Sequence, residues 1–370
     1  MSTERKFVEN IWYAAAWEWE VAEADYKLAR TICEVPLVFF KTESGSYAAL
    51  DNRCCHRSAP LSLGRIEGEC LRCMYHGMLF NTEGKVVQIP GQAHIAETMR
   101  VRSYPLESRG GMLWIWMGDP ALADPALIHD FAPLSQPDQW RGFDKESYLH
   151  YNANWLLIVD NLSDFSHVAF VHTTTLGGSE EYAYETKIEN LEQLDNGYRT
   201  ERWHRNSMPP PFHCKVIPAA EYEMKLDRCN RIAMYLPGIF LMDTIFEPAD
   251  EAGKPANDGR PVREYRNCQF MTPETYNSTH FFWNYLHCDQ LDNDAISPSL
   301  KDSLMEGFME DKVFIEAQQK LLEDSPDFVP RSFNADEALT YFRLRWNAKL
   351  KEENEKSPLP AARENRRRIL

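Results

Sequence analysis

Two short segments, each pairing a cysteine with a histidine, constrain this chain more than any other feature of its sequence. Cys54-Cys55-His56 is followed, after sixteen intervening residues, by Cys73-Met74-Tyr75-His76. Two thiolates and two imidazoles form the ligand set of a Rieske [2Fe–2S] centre, in which two histidines replace two cysteines on one iron. The spacing therefore predicts an iron–sulfur cluster held on two loops. Its expected ligands are Cys54, His56, Cys73 and His76.

A structural zinc site is the main alternative, because tetrahedral zinc binds the same four atoms. Zinc fingers place two cysteines before two histidines, whereas each short loop here offers one cysteine and one histidine. This order favours the iron–sulfur cluster over zinc. Within the first loop, Cys55 remains an alternative sulfur ligand, although Cys54 keeps the one-residue spacing to His56.

The length of the chain predicts a second domain beyond the cluster. At 370 residues it exceeds the usual size of one domain, which is about 100–200 residues. Short strand-like runs occupy the first part, and the Pro- and Asp-rich segment 119–125 marks the expected boundary. We therefore expect a Rieske domain at 1–125 and a catalytic domain at 126–370. The second part reads as a helix near 153–172, strands from about 183 to 288, and helices near 299–322 and 336–350.

Charge and composition exclude several classes of partner. The net charge of −16 opposes binding to nucleic acid and suits a partner with a basic docking patch. No apolar run approaches the roughly 18–20 residues that span a bilayer, and no signal-like segment is found at the N-terminus. Nine cysteines, an odd number, favour reduced thiols and metal binding over disulfides. These features predict a cytoplasmic protein that does not bind a membrane.

A second group of polar residues lies at 160–167, with His172 five residues further on. On a continuous helix, Asp160, Asn161, Asp164 and His167 share one face, because separations of three, four and seven residues return to the same side. His172 falls about 140° from His167 on an ideal helix. Both imidazoles can bind one metal ion only if the helix is distorted or ends between them, and we expect a π-bulge or a break there.

Two histidines and one carboxylate form the facial triad of non-haem Fe(II) oxygenases, which leaves positions open for O₂ and substrate. Asp164 suits a supporting role beside His167, so the third ligand must come from another part of the chain. Glu310, Asp311 and Glu316 are the candidates, and composition alone does not choose among them.

The chain resembles the α subunits of Rieske non-haem iron oxygenases, and most closely the demethylating group that contains dicamba monooxygenase and vanillate O-demethylase. Two positions that are usually proline in the cluster loops are here Cys55 and Met74, so each loop lacks a rigid backbone angle. The segments that carry the resemblance are Asn10–Ala15, the two cluster loops with Arg57, Ala59–Ser62 and Gly77, Gly118–Pro125, Asp160–Leu162 with Asp164, His167 and His172, Thr272–Thr275, and Glu310–Lys312.

The resemblance implies an α+β fold, an N-terminal antiparallel β domain followed by a helix-grip-like domain with an antiparallel sheet and C-terminal helices. It implies that His167, His172 and Asp311 bind the iron and that Asn161 lies beside it. Asp164 matches a carboxylate that links His167 to a cluster histidine, His76, of the neighbouring subunit in a head-to-tail homotrimer. A carboxylate that accepts from the outer N–H of His167 would also fix its tautomer.

The implied activity is oxidation of a small aromatic molecule by O₂. Electrons would come from NAD(P)H through a separate reductase or ferredoxin, since this chain has no GxGxxG dinucleotide-binding motif. Oxidative O- or N-demethylation that releases formaldehyde is the main expectation. Hydroxylation of a ring or benzylic carbon is an alternative within the same family. An electron-transfer Rieske protein without oxygenase activity is the alternative from another class.

One residue bears on the substrate. Where dicamba monooxygenase has a pocket histidine before its Thr-Pro-Glu-Thr segment, this chain has Gln269. A glutamine keeps hydrogen bonding but offers no positive charge to a carboxylate. Gln269 is therefore a candidate substrate-binding residue that does not itself favour an acidic substrate.

Overall fold

The computed structural model describes residues 5–143, 145, 147–177, 180, 183–184, 188–219, 223, 225–250, 262–288 and 296–356. They form two compact units. The first unit comprises the described residues of 1–129, 274–276 and 344–370, and the second unit comprises those of 130–273 and 277–343. The single domain boundary expected at 125–126 stays a prediction.

Three small antiparallel sheets build the first unit. Their strand orders are β1-β11-β10, β2-β3-β4-β9 and β5-β6-β7-β8. The elements are β1 (Trp12–Trp17), α1 (Glu18–Glu23), β2 (Lys27–Ile32), β3 (Val35–Lys41), β4 (Tyr47–Asp51), β5 (Arg65–Glu67), β6 (Cys70–Arg72), β7 (Leu79–Asn81), β8 (Val86–Gln88), β9 (Ser103–Tyr104), β10 (Leu106–Arg109) and β11 (Met112–Trp116). Short 3₁₀ helices lie at Leu61–Leu63, Pro120–Leu122 and Pro125–Leu127.

Strand β3 supplies side chains to two hydrophobic clusters in this unit. Successive side chains of a strand point to opposite faces, so Phe39 enters one cluster and Phe40 enters the other. The second cluster also contains Cys54 and Cys73. Both predicted sulfur ligands are thus anchored in the core, while their loops continue to the surface.

One antiparallel sheet dominates the second unit. Its order is β12-β19-β18-β17-β16-β15-β14, and β13 also pairs with β19. The strands are β12 (Trp140–Arg141), β13 (Tyr148–Tyr151), β14 (Ile188–Leu194), β15 (Gly197–Ser207), β16 (Leu226–Tyr235), β17 (Ile239–Pro248), β18 (Arg263–Thr275) and β19 (Ser278–Cys288). The helices are α2 (Trp155–Ser163), α3 (Val168–Val171), α4 (Pro211–Cys214), α5 (Ile296–Asp324) and α6 (Glu337–Lys356), with 3₁₀ helices at Ala132–Ser135, Phe165–His167 and Asn334–Asp336. Residues of α6 after Arg343 belong to the first unit.

The fold matches the predicted class. An antiparallel β unit precedes a large antiparallel sheet, and two helices near the C-terminus occupy the segments that the hydrophobic pattern indicated. Helix α5 presents buried residues at 300, 304, 308, 311 and 315, a spacing of three to four that places them on one face. In the described part of the chain, no helix has the length and apolar character needed to cross a membrane.

Candidate metal centres and the adjoining cavity

The segment that carries the two predicted iron-binding histidines is broken rather than continuous. Helix α2 begins after Asn154, whose side chain accepts a hydrogen bond from the Leu156 amide, and it ends at Ser163. Asp164 is extended, with φ −121° and ψ 101°. A 3₁₀ helix and the one-turn α3 follow, and α3 ends at Val171 with His172 as its C-cap. The break in the helix therefore lies at Asp164, before the first histidine, and not between the two histidines as expected.

This break separates residues that the sequence placed on one helix face. Asp160 pairs with Arg343, whose Nε donates to its Oδ1 at 2.8 Å. Asn161 instead donates from Nδ2 to Asp311 Oδ1 at 3.0 Å. The prediction of a shared face including Asp160 was wrong, because α2 ends before Asp164 and the chain changes direction there.

Three side chains from two distant segments of the chain converge on one point. His167, His172 and Asp311 each offer one ligand atom, and these atoms lie within 4.8 Å of one another. Asp311 Oδ1 is 3.1 Å from His172 Nε2 and 3.5 Å from His167 Nε2. Asn161 Nδ2 lies 3.3 Å from His167 Nε2, so the amide borders the cluster as expected. The arrangement brings together the two imidazoles and the carboxylate of the predicted triad.

The three carboxylates that are candidates for the third metal ligand have different surroundings in the structure. Asp311 is 6% exposed and faces the two imidazoles. Glu310 Oε2 accepts from His172 Nδ1 at 2.7 Å and from the Thr175 hydroxyl at 2.6 Å. Glu316 Oε1 accepts from the Asn152 amide at 2.7 Å. Only Asp311, among these three, reaches the imidazoles' Nε2 atoms.

Glu310 has a supporting role that the sequence analysis missed. A carboxylate only accepts hydrogen bonds when ionised, so Glu310 holds the His172 proton on Nδ1, and in the neutral imidazole Nε2 is then the nitrogen available to a metal ion. The adjacency of Glu310 to Asp311 was the one available signal, because neighbouring helix residues can reach the two nitrogens of one ring.

His167 is oriented in the same way by a different group. Its Nδ1 lies 2.5 Å from the main-chain carbonyl oxygen of Asp164, which can only accept. Nε2 is therefore the free nitrogen here too. The carboxylate of Asp164, expected to accept from His167, instead accepts from the Ser166 amide at 2.8 Å and hydroxyl at 2.9 Å. Within one chain, the Asp164 carboxylate caps the 3₁₀ helix, and the Asp164 carbonyl orients the His167 imidazole.

The electrostatics of the two imidazoles differ. Burial lowers the pKa of His167, and attraction from Asp311 only partly opposes this. Burial also acts to lower the pKa of His172, but hydrogen bonds and charge from Asp311 and Glu310 outweigh it and raise the pKa above its usual value. A divalent cation can supply the positive charge that this acidic surrounding favours. Two imidazole nitrogens and a carboxylate fit mononuclear iron.

A cavity of about 110 Å³ adjoins this cluster. One wall is a single face of the large sheet, where Arg202 pairs across the strands with Asn230, and Asn230 with Thr244. Phe165 and Phe240 contribute apolar surface. Residues of that wall also include His204, Arg228, Met242, Asn267 and Gln269. The volume suits a small molecule, and the two phenylalanine rings offer apolar surface to it.

Gln269 does line this cavity. It is 3% exposed, and its Nε2 lies 3.4 Å from Asn267 Oδ1. The same wall contains two guanidinium groups, Arg202 and Arg228, that were not predicted from the sequence. The available signal was alternation in β15, where Tyr198 and Arg202 fall on the buried face.

The two cluster loops of the first unit have the same hydrogen-bond pattern. The Cys54 amide donates to the Ala59 carbonyl at 2.8 Å, and the Ser58 amide to the Cys54 carbonyl at 3.0 Å. In the second loop, the Cys73 amide donates to the Met78 carbonyl at 2.8 Å, and the Gly77 amide donates to the Cys73 carbonyl at 2.9 Å. Each cysteine thus begins a closed turn.

Gly77 is required in its turn. Its φ is +78°, and a Cβ there would lie 2.7 Å from Pro90 Cγ. A larger residue would be strained by the backbone angle and would also displace the proline ring. The glycine therefore allows the second loop to close tightly.

The side chains of the two loops converge as a Rieske cluster needs. Cys54 and Cys73 are 3% and 2% exposed, and the His56 and His76 rings have centroids 4.6 Å apart. Burial raises the pKa of the Cys54 thiol to about 11, and a hydrogen bond with Cys73 adds to the shift. Two paired thiols and two adjacent imidazoles fit the [2Fe–2S] ligand set.

We expect Cys55→Ala to keep the cluster and Cys54→Ala to lose it. Cys55 is exposed, whereas Cys54 is buried beside Cys73. Visible absorption and iron content of the purified variants measure the cluster directly. Loss of the cluster in Cys55→Ala, with retention in Cys54→Ala, would instead make Cys55 the ligand.

Two family models match the chain in the regions of these two centres. The Rieske [2Fe-2S] domain matches residues 11–105. The vanillate O-demethylase oxygenase C-terminal domain matches residues 151–352, which include both histidines and Asp311.

Relatives of the chain match along nearly its full length. The iron-sulfur subunit TsaM1 of the toluene-4-sulfonate monooxygenase system of Comamonas testosteroni is 38% identical, over 94% of this chain and 98% of the relative. The vanillate O-demethylase oxygenase subunit of a Pseudomonas strain is 30% identical, over 89% of this chain and 91% of the relative. The crystal structure of dicamba monooxygenase bound to dicamba superposes with a TM-score of 0.82 at 28% identity, over 94% of this chain and 99% of that chain.

Proposed function

The chain belongs to the Rieske non-haem iron oxygenases with a vanillate O-demethylase type of catalytic domain, and from this we propose that it catalyses oxidative O- or N-demethylation of a small aromatic substrate. The single observation that carries the proposal is that the matched catalytic domain contains the cluster of His167, His172 and Asp311 beside a cavity with aromatic walls. We place the boundary between the two functional parts at 125–126, between the two family matches.

As a family member, the chain is an oxidoreductase with a Rieske [2Fe–2S] cluster and a mononuclear iron. We propose that Cys54, His56, Cys73 and His76 hold the cluster and that His167, His172 and Asp311 hold the iron. When bound, these groups supply electron transfer and O₂ activation.

The chain's own residues prepare the iron site in three ways. Glu310 and the Asp164 carbonyl fix the imidazole tautomers so that both Nε2 atoms face Asp311. Asn161 donates to Asp311 and so holds the carboxylate in place. These contacts remove rotational freedom from the ligands before a metal or a substrate binds.

Oxygenase components of this family work with a separate reductase or ferredoxin, and we propose that NAD(P)H reaches this chain only through such a partner. We further propose a head-to-tail homotrimer, in which the Asp164 carboxylate of one copy meets His76 of the next. Support comes from the partial burial of Asp164, whose carboxylate has in-chain contacts only to Ser166 among the residues that the structure describes. Heterologous contacts of this kind close into rings.

The proposed demethylation is a two-electron oxygenation. A methoxyarene, O₂, two electrons and two protons give a phenol, formaldehyde and water. One oxygen atom enters the methyl C–H bond, and the hydroxymethyl product then breaks its bond to the ring oxygen. The other oxygen atom leaves as water.

A second candidate is supported by a specific comparison. The relative at 38% identity acts, by its name, on toluene-4-sulfonate, a molecule with no O- or N-methyl group. Hydroxylation of a methyl carbon attached to the ring would use the same cavity and the same oxygen insertion. The product would keep its carbon and would release no formaldehyde.

A single-turnover assay separates the two candidates. Chemically reduced protein is mixed with O₂ and a panel of methoxybenzoates, N-methyl heteroaromatics and methylbenzenesulfonates, and all products are quantified. We expect formaldehyde in a one-to-one ratio with a demethylated product. A hydroxylated product without formaldehyde would contradict demethylation and support the second candidate.

A further inference from the structure

Arg202 is a buried arginine in the wall of the cavity that adjoins the iron site. The residue is 5% exposed and lies in the middle of β15. Among the residues that the structure describes, it forms no hydrogen bond or ion pair, and its buried Nε has no acceptor. Its guanidinium lies 5.4 Å from the centre of the Phe165 ring. A buried positive charge without a bonded anion is costly, so its retention calls for a ligand.

The carboxylate of Asp164 influences Arg202 without forming an ion pair with it. Burial lowers the pKa of Arg202, and the charge of Asp164 opposes this shift without forming an ion pair. The Asp164 carboxylate is already bonded to Ser166. An arginine side chain stays protonated in proteins even so. The cavity wall therefore holds a fixed positive charge with free donors.

Neighbouring side chains add polar atoms but no competing negative charge. Asn230, the cross-strand partner of Arg202, and Gln269 each have a buried side-chain oxygen without a partner. Burial, Arg228 and Arg202 together lower the pKa of His204 to about 2, so this imidazole stays neutral. Arg228 contributes a second guanidinium to the same wall. Asp311 is the one carboxylate among the described residues of the cavity lining, and it belongs to the metal cluster.

We propose that Arg202 binds the anionic group of the substrate, a sulfonate or carboxylate on an aromatic ring, and so makes the enzyme selective for aryl anions. This inference rests on the proposed function for the identity of the site. A guanidinium presents parallel N–H donors that match two oxygens of a sulfonate or carboxylate. The Phe165 ring is within the distance of a cation–π contact, which helps to hold the guanidinium in position. Arg202 thus provides the charge that Gln269 lacks.

A competing explanation for the buried Arg202 is that its positive charge balances the negative charge of Asp164. If Arg202 only stabilised that carboxylate, its replacement would weaken the binding of charged and neutral ligands equally. If it binds the substrate anion, only charged ligands would lose affinity. A comparison of matched ligands therefore separates the two roles.

The experiment measures binding to the metal-loaded protein by titration calorimetry. The probes are benzenesulfonate and benzoate, with methyl phenyl sulfone and benzamide as neutral counterparts of similar shape. Variants Arg202→Gln and Arg202→Lys are compared with Arg199→Gln. Arg199 lies on the opposite face of β15, where its 56% exposed side chain pairs with Glu192.

We expect Arg202→Gln to weaken anion binding by at least about tenfold, the usual effect of losing a hydrogen bond to a charged group. Arg202→Lys should lose less, because it keeps the charge. Neutral probes should bind all variants alike, and Arg199→Gln should match the wild type. The anion whose affinity falls more identifies sulfonate or carboxylate as the natural group.

Two results would overturn the proposal. One is equal loss for anionic and neutral probes in Arg202→Gln, and the other is a wild-type protein that binds the anions no better than their neutral counterparts. Cluster absorption and iron content of each variant report folding independently. Because binding is measured without turnover, a wild type that binds anions through Arg202 but releases no formaldehyde would refute demethylation alone.

Discussion

Asp311→Ala is expected to lose the mononuclear iron, to keep the cluster spectrum, and to reduce turnover by at least about 100-fold. Asp311 is the carboxylate that reaches both imidazole Nε2 atoms, so its removal leaves two ligands. Replacing even a group that supports a ligand typically costs about 10–100-fold in metal affinity or activity, and loss of a ligand should cost more. Iron analysis should find about three irons per wild-type chain and about two in the variant.

Glu316→Gln is the matched control on the same helix. Its carboxylate accepts from the main chain of Asn152 and is held by Lys312, away from the imidazoles. This variant should retain three irons and its activity. If Asp311→Ala keeps its third iron, Glu310 becomes the preferred ligand. A wild type with only two irons would favour the electron-transfer alternative.

Asp164→Asn is expected to keep both metal centres and yet to slow oxidation of the reduced cluster by about 10–100-fold, the usual cost of losing a group that supports a metal ligand. Asparagine caps helices as well as aspartate does, so its oxygen can still accept from the Ser166 amide and the local fold should persist. The negative charge proposed to meet His76 of the next copy is lost. Rapid mixing of reduced protein with O₂ and substrate follows the cluster by absorbance.

Ser166→Ala provides the comparison for Asp164. It removes the hydroxyl bond to the Asp164 carboxylate but leaves the charge and the amide bond. Oxidation of the cluster should therefore stay near the wild-type rate. If the cluster of Asp164→Asn is oxidised at the wild-type rate, Asp164 only caps the 3₁₀ helix. The proposed contact between its carboxylate and His76 of the next copy would then be wrong. Sedimentation of both variants checks that the predicted trimer is present.

Local sequence determined the cluster loops of this protein. Cys54 and His56 lie two positions apart in the chain, Cys73 and His76 lie three apart, and each turn closes through bonds between residues four or five apart. Short-range geometry of this kind is encoded by adjacent residues, so spacing alone predicts it. The periodic faces of α5 and α6 followed from the sequence for the same reason, because helix periodicity is local.

The end of α2 at Ser163 could not be predicted from the periodicity of the local sequence. Helical periodicity predicted one face through Asp160, Asn161 and His167, but Asp164 caps a new 3₁₀ helix and ends that face. Aspartate side chains compete with helical bonds by binding nearby amides. The sequence contained the competing residue without showing which conformation would prevail.

Only the tertiary structure decided which distant groups meet. The choice of Asp311 over Glu310 and Glu316 depends on how α5 packs beside His172, more than a hundred residues earlier in the chain. The charge of the cavity likewise depends on the sheet placing Arg202 beside Asn230 on its inner face. Local spacing specifies which ligands one loop can offer. Packing across the core decides which side chains complete the site, because one carboxylate on a charged helix resembles another until its face is buried.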